Sequence, residues 1–136
     1  MEKFEYQDLV GVPFKDGGRS KRTGMDCWGV ASELFKRQGL MVSDYAISAM
    51  NGIAIASEMN MELRLETTWI KLANPMIGCL VAIRLTDDGW ANHVGIYIGD
   101  GRFIHAYSKT GVVIDRIKRW SSRIAGYYVP KGENTR

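Results

Sequence analysis

Cysteine is scarce in this chain. Two are present, Cys27 and Cys79, too few for the disulfide framework of a small secreted domain. A single Cys27–Cys79 bridge is the one pairing open to it, and it would consume Cys27. Charge of one sign is also missing. Eighteen Lys and Arg against fifteen Asp and Glu leave a net charge of +3, too small to argue for a nucleic-acid partner. The basic residues form no stripe with interleaved aromatics either. Apolar runs such as Cys79 to Ile83 are far shorter than the ~20 residues of a membrane span. The opening Met1-Glu2-Lys3-Phe4-Glu5 has no apolar core of a signal peptide. The expectation is a chain made in the cytoplasm without a signal peptide, which reaches any outside site of action by other means.

What is present suits a compact α+β protein. The 136 residues, 46% hydrophobic and 24% charged, predict one domain over 1–136. Glu2 to Val10 reads as a short helix, ended by Gly11-Val12-Pro13-Phe14. Lys15 to Gly24 reads as a loop. Asp26 is a good N-cap for a helix from Cys27 to about Gln38, with Val30, Leu34 and Phe35 on one face and Gly39 as the stop. Ile53 to Leu65 looks helical, with Ile55, Met59 and Leu63 as core, while Met41 to Gly52 is ambiguous. Six strand candidates follow: Thr68 to Leu72, Leu80 to Leu85, His93 to Ile98, Arg102 to Tyr107, Gly111 to Asp115 and Ala125 to Val129. Their spacing predicts an antiparallel sheet.

Cys27, beginning a helix, and the chain's two histidines, His93 and His105, twelve residues apart on later strands, have the layout of a cysteine nucleophile with its base. The thiolate is the reactive form, and a helix N-terminus favours negative charge. Cys27 is therefore expected to have a lowered pKa. Strand alternation puts His93, Gly95 and Tyr97 on one face and Val94, Ile96 and Ile98 on the other. If Gly99-Asp100-Gly101 forms the hairpin loop, Ile98 pairs with Arg102 and Gly95 with His105. His105 then shares a face with His93 and can orient its ring. A slip of one residue would break this and leave Asp115, or a water, as the orienting group.

Plainer readings stand beside this one. A buried cysteine is often only packing, and Trp28 reads as core or cleft wall. Cys27, Cys79, His93 and His105 could be taken for zinc ligands, but they lack the paired spacing of structural sites. Lys15, Arg19, Lys21 and Arg22 could meet carboxylates of a substrate, or be a solvated loop.

Together the motifs resemble a known family. Asp26-Cys27-Trp28-Gly29 resembles the Asp-Cys-x-Gly signature of the NlpC/P60 papain-like cysteine peptidases, and His93-Val94-Gly95-Ile96-Tyr97 resembles their His-Val-Gly-Ile-Tyr strand. His105 sits where the family has its third polar residue. Gly11 to Gly18 is similar to its Gly-x-Pro-Tyr-x-x-Gly-Gly loop, and Pro75 to Val81 to its Pro-Gly-Asp-Leu-Val stretch, with Cys79 in place of the aspartate. The resemblance implies a papain-like NlpC/P60 fold, with N-terminal helices and the nucleophile helix packed on an antiparallel sheet of five to six strands. It implies catalysis by Cys27, His93 and His105, a place near substrate for Phe14, and no metal or other cofactor; Arg19 and Arg22, from the basic loop, and Trp28, beside the cysteine, are the further candidate substrate contacts. The implied substrate is the peptide stem of bacterial peptidoglycan. The tryptophan after the cysteine is similar to the bacteriophage tail branch, which implies phage tail proteins as partners and a virion location with action at the cell wall. Phe14 stands where many members have tyrosine and lacks its hydroxyl. A weakly active tail-assembly module, an amidase or acyltransferase, and a secreted bacterial effector are the alternatives.

Overall fold

The computed structural model describes residues 4–42, 69–86 and 91–131. The predicted helix over Ile53 to Leu65, with Ile55, Met59 and Leu63, lies outside them, as does Thr68. Among the described residues the first element is a 3₁₀ turn over Gln7–Leu9, and residues 4–10 do not form the helix expected from Glu2 to Val10, of which Glu2 and Lys3 lie outside the described residues. Val10 is already extended, and Gly11 adopts a φ of 94°. Lys15 to Gly24 is more ordered than a loop. It carries a two-stranded ribbon, β1 (Arg19–Ser20) and β2 (Gly24–Met25), paired antiparallel.

Helix α1 spans Cys27–Arg37. It begins where expected because the Asp26 carboxylate accepts from the Gly29 N–H at 2.8 Å. It ends in a Schellman motif: Leu40 N–H reaches Phe35 O and Gly39 N–H reaches Lys36 O, both at 2.9 Å, with Gly39 at φ 81°. Val30, Ala31, Leu34 and Phe35 are fully buried on its apolar face.

That face packs on a six-stranded antiparallel sheet: β3 (Trp69–Leu72), β4 (Leu80–Ile83), β5 (His93–Gly99), β6 (Arg102–Tyr107), β7 (Gly111–Arg116) and β8 (Ile124–Pro130). The spatial order is β3-β8-β4-β5-β6-β7, so the last strand inserts beside β4. A 3₁₀ stretch, Ile117–Arg123, leads into β8. Alternation divides the strands between two apolar layers. Leu80, Ala82, Val94, Ile96, Ile104 and Ala106 join the α1 side. Val81, Ile83 and Phe103 form a second layer with Tyr97, Trp120 and Tyr127 on the other.

The β5–β6 hairpin turns on two residues, not three. Asp100 (φ 55°) and Gly101 (φ 71°) both have positive φ, the signature of a type I′ turn. Gly99, not Ile98, pairs with Arg102, and the irregularity lies between Tyr97 and Gly99. Beyond it the register is Tyr97 with Phe103 and Ile96 with Ile104, which brings Gly95 opposite His105 as expected.

Candidate active site

Cys27 is the first residue of α1, and the loop before it is knotted to the helix through Asp26. One oxygen of that buried carboxylate accepts from Gly29 N–H and from Arg19 Nη1 at 2.7 Å; the other accepts from Gly17 N–H at 3.0 Å. Gly29 has no side chain because the loop crosses the first turn there. A Cβ at that position would overlap the Gly18 carbonyl oxygen. The space kept open by this glycine is filled by the protein's own backbone.

On the strand side, His93 Nε2 and His105 Nδ1 lie 2.7 Å apart. The two side chains share a face of the hairpin, and both are buried. His105 Nε2 lies 3.0 Å from Asp115 Oδ2 on β7. Asp115 was legible only as a replacement for His105, yet the two stand in series in one chain of hydrogen bonds from His93. Cross-strand spacing supplied the signal: His105 pairs with Val113, so Asp115, two residues on, is its same-face diagonal neighbour. The Phe103, Tyr107 and Trp120 rings surround His105, with centroids 4.7, 6.1 and 5.4 Å away.

The two halves meet at a backbone. The Val94 N–H, next in the chain to His93, faces the Cys27 sulfur, as does the Trp28 N–H. Among the described residues no hydrogen bond joins Cys27 to His93. The expectation of a lowered thiol pKa is not met. Burial, with the Asp26 carboxylate adding to it, pushes Cys27 up to about 12, against the smaller opposing pull of those N–H groups and Arg19. Burial also depresses both histidines, and the charge of His105 depresses His93 further. Burial is the largest single influence on Asp115 and works against its charge, but His105, Trp120 and Arg119 together outweigh it and hold the carboxyl below the usual range. These shifts favour a neutral thiol at the helix start, and neutral imidazoles on the hairpin that end on a carboxylate.

The other expected contacts fall in different places. Arg19 is engaged by Asp26 and the Gly18 carbonyl. Lys21 pairs with Asp8 at 3.1 Å. Lys15 and Arg22 are exposed, and Arg22 makes no ion pair among the described residues. Trp28 is only 4% exposed and packs edge-on against Trp69, with ring centroids 6.1 Å apart. It occupies the core, so this structure gives it no surface to offer a substrate. Phe14 is half-buried, bridged to Met25 and packed on the α1 layer. Cys27 and Cys79 are free thiols, so the bridge between them is not formed. No group of three or more His, Cys, Asp or Glu among the described residues could hold a metal ion. No helix among them is long and apolar enough to cross a membrane.

Residues 11–128 match the sequence model of the NlpC/P60 family. The chain belongs to the NlpC/P60 family. Its relatives include the Escherichia coli K12 protein named murein DD-endopeptidase MepS/murein LD-carboxypeptidase, 30% identical over 121 residues. That match covers 88% of this chain and 56% of MepS. Murein DD-endopeptidase MepH of the same organism is 33% identical over 98 residues, covering 71% of this chain and 32% of MepH. The chain thus spans about half or less of the curated relatives it matches. An NlpC/P60 family protein from Bacillus cereus superposes with a TM-score of 0.61 at 23% identity, over 88% of this chain and 35% of that one. The papain-like NlpC/P60 fold expected from the motifs is the one observed.

Proposed function

We propose that this chain is a cysteine peptidase that hydrolyses amide bonds in the peptide stem of bacterial peptidoglycan. The observation that carries the reading is the meeting of Cys27, at a capped helix start, with the strand that bears the His93–His105 pair. The names of MepS and MepH as murein endopeptidases support the substrate class.

The geometry fits acyl transfer. As the substrate carbonyl approaches, the Cys27 proton moves to His93 and the sulfur–carbon bond forms. Cys27 N–H, a first-turn donor without a bond to a described residue, is placed to receive the oxyanion. The carbon–nitrogen bond then breaks, and His93 gives the proton to the departing amine. Water adds to the thioester by the same route, with His93 again taking and returning a proton. Because the resting thiol is neutral, His93 acts as a base during attack rather than as the partner of a standing ion pair.

Arg22 is an exposed arginine of the loop with no ion pair among the described residues, and the residue we assign to a stem carboxylate. Arg19 supports the site through Asp26. Phe14 supplies an apolar wall. Action at the cell wall follows from the substrate. Association with a phage tail has Trp28 as its support, and that residue has a packing reason of its own against Trp69.

Digestion of purified murein with product masses tests the proposal. The expected products are peptide fragments with a new carboxylate and a new amine. Intact murein after prolonged incubation would instead favour a structural module, for which Phe14 is the sequence support. Products joined to an added amine would favour an acyltransferase.

A further inference from the structure

The histidine relay ends on a carboxylate, and that end decides which nitrogen of His93 can be the base. An ionised carboxylate only accepts hydrogen bonds. His105 Nε2, 3.0 Å from Asp115 Oδ2, therefore carries a hydrogen. A neutral imidazole has one N–H. His105 Nδ1 is then a bare acceptor, and His93 Nε2, 2.7 Å away, must donate to it. His93 Nδ1 keeps its lone pair and makes no hydrogen bond to a described residue. Burial keeps both rings neutral near neutral pH and so supports the premise.

We infer that Asp115 is a positioning residue: through His105 it fixes the tautomer of His93 and leaves Nδ1 as the nitrogen that takes the Cys27 proton. The role rests on the peptidase reading for its purpose, but not for its evidence. Two other groups face the carboxylate. Arg119 Nη1 donates to Asp115 Oδ1 at 3.2 Å from a highly exposed side chain. The Trp120 indole N–H points to the same carboxylate and favours its charge, without a hydrogen bond of ordinary geometry.

Arg119 makes Asp115→Asn informative. A guanidinium only donates, so it would hold the new amide by its oxygen and turn the NH₂ toward His105 Nε2. The relay would then run backwards. His105 Nδ1–H would donate to His93 Nε2, and His93 would carry its hydrogen on Nδ1, where it cannot accept. Adding Arg119→Ala frees the amide to rotate and restores the original direction.

The test is ¹⁵N NMR of the histidine-labelled protein at neutral pH, read beside turnover of a soluble murein peptide. In the wild type, Nδ1 of both rings should be unprotonated and Nε2 protonated. Asp115→Asn should move the hydrogen of both rings to Nδ1 and lower kcat by about 10²–10⁴-fold, with KM changed by less than about twofold. Asp115→Asn with Arg119→Ala should recover the wild-type pattern and at least about tenfold of the lost rate. His93 protonated on Nδ1 in the wild type, or an Asp115→Asn spectrum unchanged from wild type, would overturn the inference. The wild-type spectrum alone can do so if the variant does not fold. Tautomers that behave as expected in a protein without murein activity would refute the peptidase reading and leave the inference standing.

Discussion

His93 Nε2 and His105 Nδ1 meet at 2.7 Å because the residue that fills the space between their strands, Gly95, has no side chain. A Cβ there would lie 2.7 Å from Phe103 Cδ2, 2.8 Å from the Ile104 carbonyl oxygen and 3.0 Å from His105 Cβ. The carbonyl belongs to the sheet and cannot yield cheaply. Gly95→Ala should therefore destabilise the protein by about 1–3 kcal/mol and displace His105 from His93. Urea unfolding and murein turnover measure the two effects. Unchanged stability together with unchanged rate would mean that the close approach is not needed.

The thiol should behave as a buried neutral group. With Cys27 pushed up to about 12, iodoacetamide should label it slowly at neutral pH. The rate should climb about tenfold per pH unit as the thiolate fraction rises, with no plateau below pH 9.0, the ordinary value for the group. Fast labelling that is flat below pH 7 and slows in His93→Ala would show a standing thiolate–imidazolium pair instead.

Acid should unfold the protein in a window set by the histidines. Both have folded pKa values below 6.5, so just under that pH the unfolded chain binds protons that the folded chain refuses. Stability attributable to them is present above pH 6.5 and is lost as pH falls, by at most about 1.4 kcal/mol per pH unit for each ring. Asp8, bonded to Arg37 and Lys21, and Asp115 have pKa values below 3.8 and add a second loss under that value. Chemical denaturation as a function of pH should show both stages, and replacing both histidines by glutamine should remove the first. A first stage that persists in that variant would refute the assignment, since the chain has no other histidine.

Two arginines of one loop should separate by role. Arg19→Ala strips a charged hydrogen bond from buried Asp26 and should cost about 1–3 kcal/mol of stability. Arg22→Ala, exposed, should change stability by less than about 0.5 kcal/mol. It should raise KM for an acidic stem peptide by about tenfold, fading as salt is added. The opposite assignment of the two effects, or no change in KM for Arg22→Ala, would return Arg22 to the solvated surface.

Much of this architecture was legible because it is written in local rules. Asp26, Cys27 and Gly39 specify a helix start and stop through capping alone. Period-two alternation put His93 and His105 on one face, and the two-residue Asp100-Gly101 turn left the register at Gly95 as expected, because the offset is absorbed near Ile98. What escaped depends on three-dimensional neighbours. Trp28 looked available to a substrate until β3 brought Trp69 against it. Arg19 looked like a free cation until the β1–β2 ribbon folded it onto Asp26. The thiol pKa was misjudged for the same reason: helix polarity is local and readable, whereas burial by the rest of the fold is neither, and here burial is the larger effect. The order of strands, with β8 between β3 and β4, has no local signature at all.

The account stands on Cys27 as nucleophile and His93 as its base, and turnover of a defined murein stem peptide tests both at once. Wild type, Cys27→Ala and His93→Ala should be compared at equal folded concentration, with products identified by mass. Cys27→Ala should show no cleavage above the uncatalysed background, and His93→Ala should lose about 10²–10⁴-fold in kcat. Cleavage by Cys27→Ala at a rate near that of the wild type would contradict the account directly.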